Sequence, residues 1–288
     1  MSVDSKPSAA PEDARAQTVA AGAWPGRASE PLVLRGDLRR SLQWLGRGLL
    51  DWLPLYVALF VYDEINNWLG PLLPPPHARS LIHFDQWLFG GAVPAVWLQR
   101  AFYTDGQPRA WDWAALAIYC SHFFVTLLCA LVLWLRSRPA YLRYMSWVVA
   151  LTTLGFATYI ALPAVPPWLA SQRGLLAPTH RIVRELWQHL GWSGMAALFS
   201  GSNLYANDVA ALPSLHAAYP LLMAIFLWRT SRPWARAALA AYALVMPVVL
   251  IYFAEHYALD ILLGWLYVGV SLLLVRRLWR LLARREAA

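Results

Sequence analysis

The chain has 288 residues, of which 59% are hydrophobic and only 14% charged, with a mean hydropathy of +0.42. A soluble domain carries roughly 45–50% apolar and about 25% charged residues, so this composition excludes an ordinary soluble domain, a disordered chain, a fibrous repeat and a secreted disulfide scaffold. The net charge of +8 does not point to nucleic acid: the 24 basic residues are all arginine except Lys6, set in short clusters between apolar runs, the pattern of membrane topology.

Residues 1–34 mix Ala, Pro, Ser and charge without periodicity and are expected to form a flexible tail, with no apolar stretch of signal-peptide length. Residues 35–288 are expected to form one membrane domain. Six apolar segments follow, at 41–62, 113–135, 145–163, 212–228, 237–254 and 257–275. Most approach the ~20 residues that cross a ~30 Å hydrocarbon layer, so an all-α bundle of six transmembrane helices is expected. The Trp and Tyr content, 17 and 13 residues, suits two water–lipid interfaces.

Arginines cluster before the first segment (Arg35, Arg39, Arg40, Arg47), between the second and third (Arg136, Arg138, Arg143), between the fourth and fifth (Arg229, Arg232, Arg236) and after the sixth (Arg276, Arg277, Arg280, Arg284, Arg285). With six spans these regions share one side, which places both termini in the cytoplasm. The opposite side receives two long connections, 63–112 and 164–211, rich in aromatic residues and expected to form interfacial helices or a lid. Leu69–Pro76 marks a break, and Phe84–Leu98 reads as a short amphipathic or re-entrant piece. Cys120 and Cys129 lie in one apolar run about 13 Å apart on a helix, too far to bridge.

Ionisable groups at the edge of lipid are costly and so are functional candidates. His216 opens the fourth segment, His256 closes the fifth, and Asp260 begins the sixth at helical i, i+4 spacing from His256. A carboxylate one turn from an imidazole holds one ring nitrogen as a donor and leaves the other as nucleophile or base. A second histidine supplies the opposite acid–base partner. Pro213 and Ser214 suit a helix start, whose free N–H groups attract anions. A metal site is the competing reading, with only three ligands and no Cys or acidic cluster.

The segments PSLH (213–216) and HYALD (256–260) resemble the second and third motifs of the type-2 phosphatidic acid phosphatase superfamily, six-span enzymes with a His–His–Asp site. NDVAALPSLH (207–216), ALPAVPPWLA (161–170) and FDQWLFGGAVPAVWLQ (84–99) resemble its inositol phosphorylceramide synthase branch. The resemblance implies that His256 attacks phosphorus, Asp260 orients it, and His216 protonates the departing oxygen and then deprotonates the acceptor. It also implies a phosphohistidine intermediate and no metal or cofactor.

The superfamily's first motif, a basic residue, six others and then Arg-Pro, is not met: Leu131 and Ile225 stand where that residue would precede Arg138-Pro139 and Arg232-Pro233. Val249 and Leu250 replace the Ser-Arg that precedes the third motif. These departures favour a phosphodiester or lipid headgroup over a bare phosphomonoester. The expected reaction moves a phospho-headgroup, such as phosphoinositol, from a phospholipid to a lipid hydroxyl; the alternative is hydrolysis of a lipid or isoprenoid phosphate or diphosphate. Arg173, Arg181 and Arg184 are the candidate phosphate holders, with lipid-headgroup contact as the competing role. Pro166, Pro167 and Trp168 are placed to wall a pocket or break a helix. His122, mid-way along the second segment, reads as a buried hydrogen-bonded residue.

Overall fold

The structure is a computed structural model that describes residues 38–69, 73–198 and 209–286. The expected tail over 1–34, Arg35, and the Asn207–Asp208 part of the NDVAALPSLH segment lie outside these residues. Among the described residues every element is a helix: α1 (Leu38–Leu69), α2 (Arg79–Leu88), α3 (Pro94–Phe102), α4 (Ala110–Arg136), α5 (Arg138–Ala161), α6 (Pro167–Gln172), α7 (Ile182–His189), α8 (Ser193–Leu198), α9 (Leu215–Leu227), α10 (Pro233–Tyr252) and α11 (Ala258–Glu286).

Each of the six apolar segments is a helix. Four of them, α1, α5, α10 and α11, are long and apolar enough to cross a membrane, and α4 makes a fifth if its halves, bent by 43°, count as one span. The segment at 212–228 differs. Pro213 and Ser214 stop it from starting earlier, and α9 keeps 13 residues, about 20 Å at 1.5 Å per residue. This short helix is the centre of the bundle, packed against α4, α5, α10 and α11.

Two glycines admit the start of α9. A Cβ on Gly264 of α11 would stand 2.4 Å from the Ser214 carbonyl oxygen, and one on Gly155 of α5 would meet the Leu215 side chain at 2.8 Å. Small residues at such crossings let helix backbones approach closely.

Of the connections expected to carry interfacial pieces, the first holds α2 and α3 and the second α6 to α8; α2, α3 and α6 pack into one buried cluster. Gly90 and Gly91, both at positive φ, make the turn between α2 and α3 that a side chain would strain. Three strands of loop lie side by side above the bundle: the His77 N–H donates to Pro163 O, the Val165 N–H to His77 O, the Ala164 N–H to Val209 O and the Ala211 N–H to Ala164 O. This stitching fixes the Ala211 carbonyl, which matters for the site below.

Candidate active site

The third motif sits on a tight corner. Helix α10 ends with the Ala254 N–H donating to Ile251 O and the Glu255 N–H to Leu250 O, both at 3.0 Å, with Ala254 at φ +57°. That is the left-handed C-terminal cap usually given to glycine; here alanine accepts it, fully buried. The corner turns the chain so that Glu255 and His256 precede α11 by a few residues.

His256 is 5% exposed. Its Nδ1–H donates to the Ala211 carbonyl at 2.9 Å, and Asp260 Oδ2 stands 3.4 Å from the same nitrogen. A carbonyl can only accept, so in the neutral ring the proton is on Nδ1 and the lone pair is on Nε2. The expectation from spacing assigned this orienting task to Asp260; the nearer acceptor is a backbone carbonyl 45 residues away, and the carboxylate adds charge behind it. Asp260 is fully buried and its Oδ2 also accepts the Tyr257 N–H at 2.8 Å.

His216 arrives on α9. The Ser214 N–H donates to the Asp260 main-chain oxygen at 2.8 Å, and the Tyr159 hydroxyl donates to Pro213 O at 2.8 Å. These bonds lock the start of α9 to α11 and α5. The rings of His216 and His256 have centroids 5.7 Å apart, close enough for one phosphate to touch both. Tyr119 stacks on His216 with ring centroids 5.4 Å apart, and the His122 ring approaches it at 4.0 Å.

Both imidazoles line a cavity of about 1080 Å³, at the large end of small-molecule sites. Its lining includes Pro166, Trp168 and Arg181 from the 164–211 connection, and Tyr56, Leu59 and Phe60 from α1. Tyr56 and Phe60 are also 62% and 64% exposed, so the cavity reaches the apolar outer surface of the bundle.

Of the three candidate arginines, Arg181 alone lines this cavity. Its Nε donates to Glu255 at 2.9 Å and its guanidinium lies 4.1 Å over the Trp168 ring, a cation–π contact. Arg173 is exposed at the end of α6, and Arg184, on α7, does not line the cavity. Ser214 is a buried helix cap whose Oγ accepts the Ala217 N–H at 3.3 Å, and Pro167 opens α6 behind Trp168.

Reasoning from the sequence alone passed over Glu255, Asp85 and Gln99, and put His122 among buried structural residues although it faces the cavity. The signal for Glu255 was its position directly before His256. Gln99 accepts the His180 N–H at 2.7 Å and donates to the His180 and Tyr252 carbonyls, which fixes the loop that presents Arg181. One group of metal-ligand type converges among the described residues: Asp105, His180 and Glu185, within 4.8 Å of one another. Glu185 there already accepts hydrogen bonds from the Tyr103 hydroxyl and the His180 ring.

Comparison with known proteins follows the same lines. The chain is 29% identical over 242 residues to the phosphoinositol dihydroceramide synthase of Bacteroides thetaiotaomicron, covering 78% of this chain and 77% of that protein. It is 24% identical over 198 residues to the inositol phosphorylceramide synthase catalytic subunit of Schizosaccharomyces pombe, covering 66% of this chain and 45% of that one. No solved structure matches. The sequence profile of the PAP2 superfamily matches residues 79–274, a stretch that runs from α2 to α11 and holds both histidines and Asp260; the chain belongs to the PAP2 superfamily.

Proposed function

We propose that this membrane enzyme moves a phospho-headgroup, such as phosphoinositol, from a phospholipid to the hydroxyl of a second lipid through a phosphohistidine on His256. The observation that carries the reading is the meeting of His216, on α9, and His256, on the corner before α11, at a large cavity that runs out to the lipid-facing side of α1. The names of the two sphingolipid synthases above support phosphoinositol as headgroup and a ceramide-type lipid as acceptor.

In this reaction the Nε2 lone pair of His256 attacks phosphorus and the bond to the donor's glycerol oxygen breaks. His216 gives that oxygen its proton, so diacylglycerol leaves. His216, now neutral, takes the proton of the acceptor hydroxyl, whose oxygen attacks the phosphohistidine and frees His256. Asp260 stabilises the positive charge that His256 gains, and Arg181 is the cavity's candidate for the charge on the phosphate oxygens, since charge stabilisation is most of what such a site supplies. In this reading the short α9 counts as the sixth span, and the arginine clusters then support both termini facing the cytoplasm with the site opening on the opposite side.

The test is product analysis with the full chain in detergent, phosphatidylinositol as donor and a ceramide as acceptor. Headgroup-modified acceptor with diacylglycerol is the expected outcome, abolished in His256→Ala. Free inositol phosphate as the sole product would replace transfer by hydrolysis, and equal turnover in His256→Ala would remove the site assignment altogether.

A further inference from the structure

Asp85, on α2, is a buried carboxylate outside the His–His–Asp constellation. It is 1% exposed, and its two oxygens accept the Ala258 N–H at 3.1 and 3.3 Å across 173 residues of sequence. The Leu259 N–H is turned to it as well. Ala258 is the first residue of α11, so the opening N–H groups of this helix are divided between two acids: Tyr257 donates to Asp260, and Ala258 and Leu259 to Asp85. Among the described residues no cation pairs with Asp85.

The start of α11 is thus held from a separate helix, α2, as well as by its own Asp260. The same helix start is tied through the Asp260 carbonyl to Ser214, and so to the first turn that presents His216.

We infer that Asp85 is a positioning residue of the catalytic site: it holds the start of α11, and with it His256 and His216. The inference rests on His256 being the reactive imidazole. The titratable groups that bear on Asp85 are Asp260 and Tyr257. Burial and then the charge of Asp260 push the Asp85 carboxyl up to about 7, and burial followed by both carboxylates pushes the Tyr257 phenol up. The two acids and the phenol therefore sense one another.

The test reads His256 directly. Diethylpyrocarbonate modification of His256, followed by mass spectrometry in the full-length protein at one fixed pH, reports how firmly the corner holds this buried ring, without any substrate. Asp85→Ala is expected to label His256 on the order of threefold faster than wild type, because the start of α11 is released, and Asp85→Asn, whose amide oxygen still accepts the Ala258 N–H, to label at the wild-type rate. Equal rates in Asp85→Ala and wild type would overturn the inference. In turnover, Asp85→Ala is expected to lower kcat about tenfold with KM within about twofold, and Asp85→Asn to recover most of it. A wild-type kcat in Asp85→Ala, or no recovery in Asp85→Asn, would also overturn it. The labelling rate needs no turnover, so it separates this inference from the proposed transfer reaction, which fails on its own products.

Discussion

Asp51 and Asp260 are both carboxylates buried among apolar helices, and they are neutralised in opposite ways. Asp51 of α1 is 6% exposed and accepts the Arg138 Nε and Nη2 at 2.8 and 2.6 Å and the Trp134 indole N–H at 3.1 Å. Its backbone carbonyl accepts the Tyr141 hydroxyl at 2.9 Å. The arginine is bidentate and every oxygen is used, which is how a charge is made inert. Asp260 has no arginine: it accepts one backbone N–H, stands beside an imidazole, and its Oδ1 is left without a hydrogen-bond partner. A charge left partly unsatisfied is available to stabilise the cationic ring that the proposed attack by His256 would form.

Arg138 begins α5 and Tyr159 near its other end touches Pro213, so the two carboxylates stand at opposite ends of that helix, about 30 Å apart at 1.5 Å per residue. The Arg138-Pro139 pair, which resembles part of the superfamily's first motif, is thereby accounted for as a clamp among α1, α4 and α5.

The sharpest test of the contrast is Asp260→Asn. It is expected to lower kcat by about 10²–10⁴, the scale seen when the acid behind a catalytic histidine is neutralised, while thermal unfolding in detergent changes little. A large fall in stability with kcat retained would make the two acids alike. Arg138→Ala is the converse: it strands Asp51 and should cost about 2 kcal/mol of stability, with turnover per folded molecule preserved, read by melting temperature and specific activity together. Gly264→Ala probes the link between the helices that carry the site. Its Cβ would force the start of α9 away from α11, at about 1–3 kcal/mol of overpacking, and should lower kcat through His216 without touching the Asp51 clamp.

The smallest effect concerns pH. Because the folded Asp85 carboxyl titrates at about 7 and not at 3.8, its protonated form is the one the fold favours. Its contribution to stability is complete below the unfolded value and is lost as pH rises through about 7. The melting temperature of Asp85→Asn should therefore gain on that of wild type between pH 4 and 7; parallel curves would count against the shifted titration.

Much of this was legible from residue order. Apolar runs marked all six long or central helices, because lipid forces each to satisfy its own backbone. His216, His256 and Asp260 stood out since charge is rare in such runs. Other features left no local trace. The short α9 follows from Pro213 and Ser214 meeting Gly264 and Gly155, contacts between residues some 50 positions apart. That Arg181 lines the cavity while Arg173 and Arg184 do not depends on Gln99, Trp168 and Glu255, which come from α3, α6 and the corner after α10.

The sequence by itself determined that the chain is a helical membrane protein of the PAP2 superfamily and which two histidines and aspartate carry the resemblance, because hydropathy and motif spacing are properties of the chain alone. Tertiary structure alone decided that Ala211 sets the His256 tautomer, that Asp85 caps α11 and that Arg138 belongs to Asp51, because a hydrogen bond links whichever groups the packing of distant segments brings within 3 Å.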